Sequence, residues 1–299
     1  ARARHSFGAS PDLFGLQSTQ DDADKTDVEL DQLWLKFDIA QTVYMTVGQQ
    51  PIRWGAGRFW NPTDFLHSQV RNPLDVFDDR NGVSLIKAHF PIESLGWNLY
   101  AVMNLEGLEK LEDTAGALRA EILLGQTELS LTAAARNKGQ QQVGFDLSSA
   151  LWDFDIRFEA ALSHKLDKVF LRETENGNSL EQYSRSEEWI PQVVAGIDYA
   201  FRYSDDDNVI LGVEYFYNEA GYDDASYYLG MAGANIFEFL YNGEHYLAAS
   251  MVLMAPGSWN DSTFILSALS NLSDESILTR LDYRVRVLTH LNLSFYLAH

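Results

Sequence analysis

The sequence predicts an all-β chain: one antiparallel barrel of about 14–16 strands that crosses a membrane, with short turns at one end and long loops at the other. Three observations predict it. Along 152–163 (WDFDIRFEAALS) the residues sort by parity, Trp152, Phe154, Ile156, Phe158, Ala160 and Leu162 against Asp153, Asp155, Arg157, Glu159, Ala161 and Ser163. A strand sends successive side chains to opposite faces, so one face is continuously apolar and the other charged. The pattern then recurs along most of the chain, and the segments between its repeats are alternately short and long.

Taken in order, strands are predicted over 1–8, 27–39, 42–53, 81–92, 96–106, 115–125, 127–137, 141–150, 152–165, 189–203, 207–218, 243–256, 259–271, 274–286 and 289–299. Leu33, Leu35, Phe37 and Ile39 face lipid in the second of these, with Lys36 and Asp38 on the reverse side. Ile86, Ala88, Phe90 and Ile92 then oppose Lys87 and His89, and Leu99, Ala101 and Met103 oppose Asn98 and Asn104. Arg119 and Glu121 lie on the wet face of the next strand. Leu129, Leu131 and Ala133 oppose Glu128, Ser130 and Thr132. Val209, Leu211, Val213 and Tyr215 oppose Glu214, and Ile277, Leu281, Tyr283 and Val285 oppose Arg280, Asp282, Arg284 and Arg286. The segments 243–256 and 259–271 carry apolar residues on both faces and have no clear orientation. Gly144 and Gly212 fall inside strands, where they permit close packing.

The long connections are 9–26, 54–80, 107–114, 166–188 and 219–242. Long loops at one end and tight turns at the other give extracellular and periplasmic sides respectively. Trp97, Trp152, Tyr199, Phe201 and Trp259 stand where strands meet the short turns, where amphipathic rings form a girdle at the membrane–water interface. Trp189, Tyr215, Tyr217 and Tyr246 are candidates for the outer girdle. Fifteen strands leave the two ends of the chain on opposite sides, and Tyr296-Leu297-Ala298-His299 comes last. The expectation is therefore a single-domain parent of sixteen strands, closed or nearly closed, whose final strand is absent.

Composition narrows the function. The chain has 299 residues, is 46% hydrophobic and contains no Cys, which excludes disulfides and thiolate metal sites. Mean hydropathy is -0.21 and no stretch approaches the roughly 18 apolar residues of a membrane helix. ARARHSFGAS has no apolar core of a signal peptide, so the chain reads as processed or trimmed. A net charge of -21 argues against nucleic acid, whose phosphates need neutralising Lys and Arg, and hints at a preference for cations. Asp21-Asp22-Ala23-Asp24 and Asp205-Asp206-Asp207 lack the spacing of a calcium loop and read as solvated charge. His5, His67, His89, His164, His245, His290 and His299 are scattered, and no nucleophile or phosphate-binding motif is present, so no enzyme, cofactor or metal is expected.

The most distinctive stretch is 47–80. Its Asn61-Pro62 and Asn72-Pro73 pairs favour turns, and Asp64, Asp75, Asp78 and Asp79 stand against Arg53, Arg58, Arg71 and Arg80. So long a loop, rich in aromatics, is expected to fold into the lumen and narrow it, its charges setting a transverse field. Asp153, Asp155, Arg157 and Glu159 on one wall and Arg280, Asp282, Arg284 and Arg286 on another complete the expected lumen lining. The run GQQPIRWGAGRFWNPTDFL, followed by NPLD, resembles the strand–loop segment of proteobacterial outer-membrane porin-like barrels. That resemblance, over about a tenth of the chain, implies an outer-membrane location and a transport or conduit role. The expected function is passive diffusion of small polar solutes or cations, with outer-membrane lipid and lipopolysaccharide as surroundings and a homo-oligomer or protein partner as options. The alternative is a structural barrel that sheaths or anchors a partner protein.

Overall fold

The computed structural model describes residues 2–3, 28–29, 31–67, 71–75, 80–106, 115–136, 139–176, 179–204, 207–289 and 291–299. Two short strands, β1 (Arg2–Ala3) and β2 (Val28–Glu29), pair with each other. The strand expected over 1–8 otherwise lies outside the described residues, as does Asp79.

A single antiparallel sheet of fourteen strands makes up the body. Its first half is β3 (Leu33–Ile39), β4 (Val43–Gln50), β5 (Val83–Ile92), β6 (Trp97–Asn104), β7 (Ala115–Leu124), β8 (Thr127–Arg136) and β9 (Gln141–Leu151). β10 (Phe154–His164) follows, then a separate hairpin of β11 (Val169–Glu173) and β12 (Leu180–Ser184). The sheet resumes with β13 (Trp189–Arg202), β14 (Asn208–Asn218), β15 (His245–Met254), β16 (Ser262–Asn271), β17 (Ser276–Leu288) and β18 (Leu291–Ala298). A short helix, α1 (Ser226–Gly233), lies in the connection before β15. Each sheet strand pairs with its sequence neighbours, and β10 with β13 across the hairpin, so the order is an up-and-down meander from β3 to β18.

Burial along the strands is the reverse of that in a water-soluble protein. On β14 the outward Leu211, Val213 and Tyr215 are exposed, whereas the inward Glu214 and Phe216 are 1% exposed. On β10 Phe154 and Phe158 are exposed and Glu159 is fully buried. Apolar side chains left facing outward over strand after strand need hydrocarbon, not water, as their solvent. Phe158→Arg is therefore expected to weaken folding into lipid vesicles by about 2–4 kcal/mol. Unchanged folding equilibria in vesicles would remove the lipid-facing assignment of β10.

The turns are short at one end. Gly125 (φ 65) and Trp152 (φ 56) adopt the left-handed conformation that two-residue hairpin links demand. Trp152 is 86% exposed there, Phe201 and Trp259 are exposed nearby, and Tyr199 and Trp97 are half-buried at the same end. The ring of Tyr199 packs on Phe154 at 5.2 Å, and that of Trp259 on Phe264 at 5.7 Å. Among the outer-girdle candidates, Trp189, Tyr215 and Tyr217 fall on the outward face. Tyr246 does not: it pairs with Phe216 across β14 and β15 and is buried inside the barrel.

Candidate functional site

After β4 the chain turns inward, and residues 52–66 run against the inner faces of the strands. Ile52, Trp54 and Leu66 pack on Val83, Leu85, Val102 and Ala117 from β5, β6 and β7. Phe59, Trp60 and Leu74 pack on Val194, Phe216, Tyr246, Ala248 and Leu269 from β13 to β16. Trp60 stacks on Phe216 at 5.2 Å and meets Tyr246 at 5.5 Å. The Asn-Pro pairs form turns as their chemistry requires. Asp64 N donates to Asn61 O (3.1 Å), and Leu74 N and Asp75 N donate to Asn72 Oδ1 and Asn72 O, both at 3.0 Å.

A backbone lying inside a barrel needs acceptors for its N–H groups, and two wall carboxylates supply them. Glu214 accepts from three successive amides: Arg58 N at 2.6 Å, Phe59 N at 2.8 Å and Trp60 N at 3.0 Å. Glu159 accepts from Gly57 N, from Asn61 Nδ2 at 3.0 Å, and from Thr63 N and Oγ1 at 3.3 and 2.8 Å. Such charge-assisted bonds are about twice as strong as neutral ones. Glycine makes the approach possible. A Cβ on Gly55 (φ +95) would lie 2.6 Å from Glu159 Oε1, and one on Gly144 would lie 2.9 Å from the Thr63 methyl.

Arg58 and Arg157 complete this knot. Arg58 Nη2 reaches Asp198 Oδ2 at 2.6 Å, while Arg157 binds the same carboxylate and stands 3.8 Å from Glu214. Arg157, Gly196 and Glu214 share one lateral row of the sheet, and the missing side chain at Gly196 leaves room for both charged neighbours. A second knot sits on the adjoining wall, where Arg119 makes two bonds to Asp146 (2.7 and 2.9 Å), one to Glu121 (2.9 Å), and covers the Trp54 ring.

The expected lumen residues thus divide. Arg58, Arg157 and Glu159 come together, and Asp64 pairs with Arg80 (2.9 Å) and His67 within the segment itself. Among the described residues of 54–80, Arg58 reaches the wall at Asp198, Arg71 bonds the segment's own Gly57 O, Arg58 O and Asn61 Oδ1, and Arg80 pairs with Asp64. Arg53 is exposed and Asp75 half-buried. Asp153 lies in the turn after β9 and Asp155 is exposed at the start of β10, with β13 to β16 standing between that strand and β17 in the sheet. There Arg280 bonds Asp282 (2.6 Å), Arg284 donates to Ser294 Oγ, and Arg286 pairs with Asp261 at the short-turn end. Glu214, Asp198 and Asp146 carry more of the site than the sequence had suggested. The readable signal was a strand glycine, Gly196 or Gly212, directly opposite an inward charged residue.

Above the seated segment a cavity of about 560 Å³ opens toward the long loops. It is lined from the segment by Trp60, Asn61, Asp64 and Arg71, from the wall by Gln142, Gln192 and Asn218, and from the loops by Lys168, Phe237 and Tyr241. Tyr241 donates its hydroxyl to Arg71 O at 2.9 Å, and burial pushes its pKa well above the usual phenol range, so it stays a neutral donor. The connection 165–188 is tied to the rim where Arg185 bonds the Glu219 carboxylate (2.9 Å) and its backbone carbonyl (3.1 Å). Hydrogen bonding from Tyr217, and then Arg185, holds the Glu219 carboxyl below its ordinary range. A depressed carboxyl stabilises above its unfolded pKa and ceases to as pH falls through its folded value. Hydrogen exchange in the β11–β12 hairpin, corrected for intrinsic rates, is therefore expected to be flat from neutral pH to about 5 and to rise below about 4. No rise down to pH 3 would contradict this tie.

No protein-family model matches the chain, and no curated protein matches it. Among solved structures it is similar to Wzi of Escherichia coli, described as an outer-membrane protein involved in group 1 capsule assembly and a carbohydrate-binding β-barrel. The TM-score is 0.51 at 12% identity, over 86% of this chain and 63% of Wzi, so the chain spans less than two thirds of that protein's length. It is also similar to OccK11 (OpdR) of Pseudomonas aeruginosa, with TM-score 0.50 at 10% identity, over 86% of this chain and 71% of that one. Both are outer-membrane barrels. With the apolar outer belt and the charged interior already described, the conclusion is that this chain has the fold of a Gram-negative outer-membrane β-barrel of the porin-like kind.

Proposed function

We propose that the chain is a porin-like channel of the bacterial outer membrane, through which small polar solutes or ions diffuse passively past a constriction built by residues 54–80. The observation that supports this reading is the backbone of 57–63 held on Glu159 and Glu214, next to the charged wall residues Arg157 and Asp198. A narrowed, charged passage selects by size and by field at its narrowest point. The likeness to Wzi, a carbohydrate-binding barrel, adds sugars to the polar solutes that such a passage can admit.

The sheath alternative is not favoured. A partner threaded through the lumen would have to displace Phe59, Trp60 and Leu66, all buried against the wall. Planar-bilayer recording tests the channel reading. Discrete conductance steps with a reversal potential favouring cations, as the net charge of -21 suggests, are the expected result. A silent bilayer containing correctly folded barrel would overturn it.

A further inference from the structure

We infer that the cavity above the seated segment binds a neutral saccharide. This rests on the channel reading and names its solute class. The volume, about 560 Å³, falls within the roughly 300–1,000 Å³ typical of small-molecule pockets. Several of its charges are already engaged: Asp64 with Arg80 and His67, Lys168 with Glu238 at 3.1 Å across two loops, and Arg71 on the carbonyls of Gly57 and Arg58 and on Asn61 Oδ1, while Asp167 is exposed at the loop side. A charged solute would have to compete with these pairs, whereas a neutral one leaves them in place.

What the cavity does present is carboxamides and aromatic faces. Gln142 Nε2 donates to Ser163 Oγ at 3.4 Å and Gln192 Nε2 donates to Asn218 Oδ1 at 2.8 Å. Their side-chain carbonyls have no hydrogen-bond partner among the described residues, and each amide keeps a second N–H. A carboxamide offers an acceptor and a donor side by side, the complement of neighbouring hydroxyls that each donate and accept. Phe237, which exposes 42% of its surface, and Tyr241 line the same cavity. An aromatic face accommodates the C–H face of a pyranose, while the hydroxyl edge turns to the amides. Hydroxyls in a plane with an apolar face above it describe a sugar ring and fit neither a free ion nor a purely apolar solute.

The test is calorimetric titration of the full chain in detergent with glucose, galactose, maltose and sucrose, and with glutamate and lysine as charged comparators. Saturable binding of at least one sugar, unchanged between about 0.1 and 1 M salt, is expected because no charge is matched. Gln192→Ala and Phe237→Ala, checked for folding by heat-modifiable gel migration, are each expected to weaken that binding about fivefold or more. Absence of saturable sugar binding overturns the proposal, as does salt-sensitive preference for a charged comparator or a sugar affinity indifferent to both substitutions. Conductance steps without sugar binding leave the channel standing and remove the site. Sugar binding without conductance does the reverse.

Discussion

Glu214→Gln is expected to free residues 57–63 from the wall while leaving the strands intact. The carboxylate now accepts three backbone amides and neighbours the Arg157 guanidinium. An amide in its place keeps one acceptor and turns an NH2 toward donors. Each buried donor left without a partner costs about 1–3 kcal/mol, while Arg157 keeps its bonds to Asp198. The seating of the segment should weaken on the order of 3 kcal/mol. Proteinase K should then cut within 54–80 in intact vesicles, and single-channel conductance should rise and become noisier. Wild-type conductance and full protection would remove the latch. Glu159→Gln should act in the same direction but less, because two of its donors are the rotatable Asn61 and Thr63 side chains.

Trp60→Ala is the second large effect. The indole is fully buried among Phe59, Phe216 and Tyr246. Emptying such a site costs about 3–5 kcal/mol. Trp60 Nε1 has no hydrogen-bond partner among the described residues, so the loss is one of packing alone. Trp60→Phe should therefore recover most of the stability, within about 1.5 kcal/mol of wild type. Thermal unfolding and protease protection of 54–80 would check both; a phenylalanine variant as damaged as the alanine one would show that the indole nitrogen matters.

How far the architecture can be read from sequence depends on what faces each wall. From β5 to β10 and on β14, water and charge lie on one side and hydrocarbon on the other, and parity identifies every strand within a few residues. On β15 and β16 it gives the strands but not their orientation, because Ala248, Val252, Ile265 and Leu269 turn inward, and Ala248 and Leu269 meet the apolar Phe59–Trp60 ridge. A protein surface inside the barrel erases the alternation that water would have imposed. The same cause explains Tyr246, whose ring belongs to that inner cluster rather than to the outer girdle. Within the site, Arg58, Arg157 and Glu159 were readable as inward charges near a long loop. Glu214 and Asp198 stood in strands far from it in sequence, 156 and 140 residues from Arg58, and only the inward run of the segment after β4 brings them beside it.

The most direct measurement uses the absence of native Cys, which makes any introduced pair the only thiols in the chain. A Cβ at residue 144 on β9 would lie 2.9 Å from the methyl of Thr63, close to the roughly 3 Å between a disulfide sulfur and the far Cβ. Thr63→Cys combined with Gly144→Cys should therefore form an intramolecular disulfide under mild oxidation in folded, vesicle-embedded protein, and neither single variant should. Efficient cross-linking means that the segment lies inside the barrel against this wall. Two thiols that stay free and open to aqueous maleimide would mean that it does not, and the constriction would fall with it.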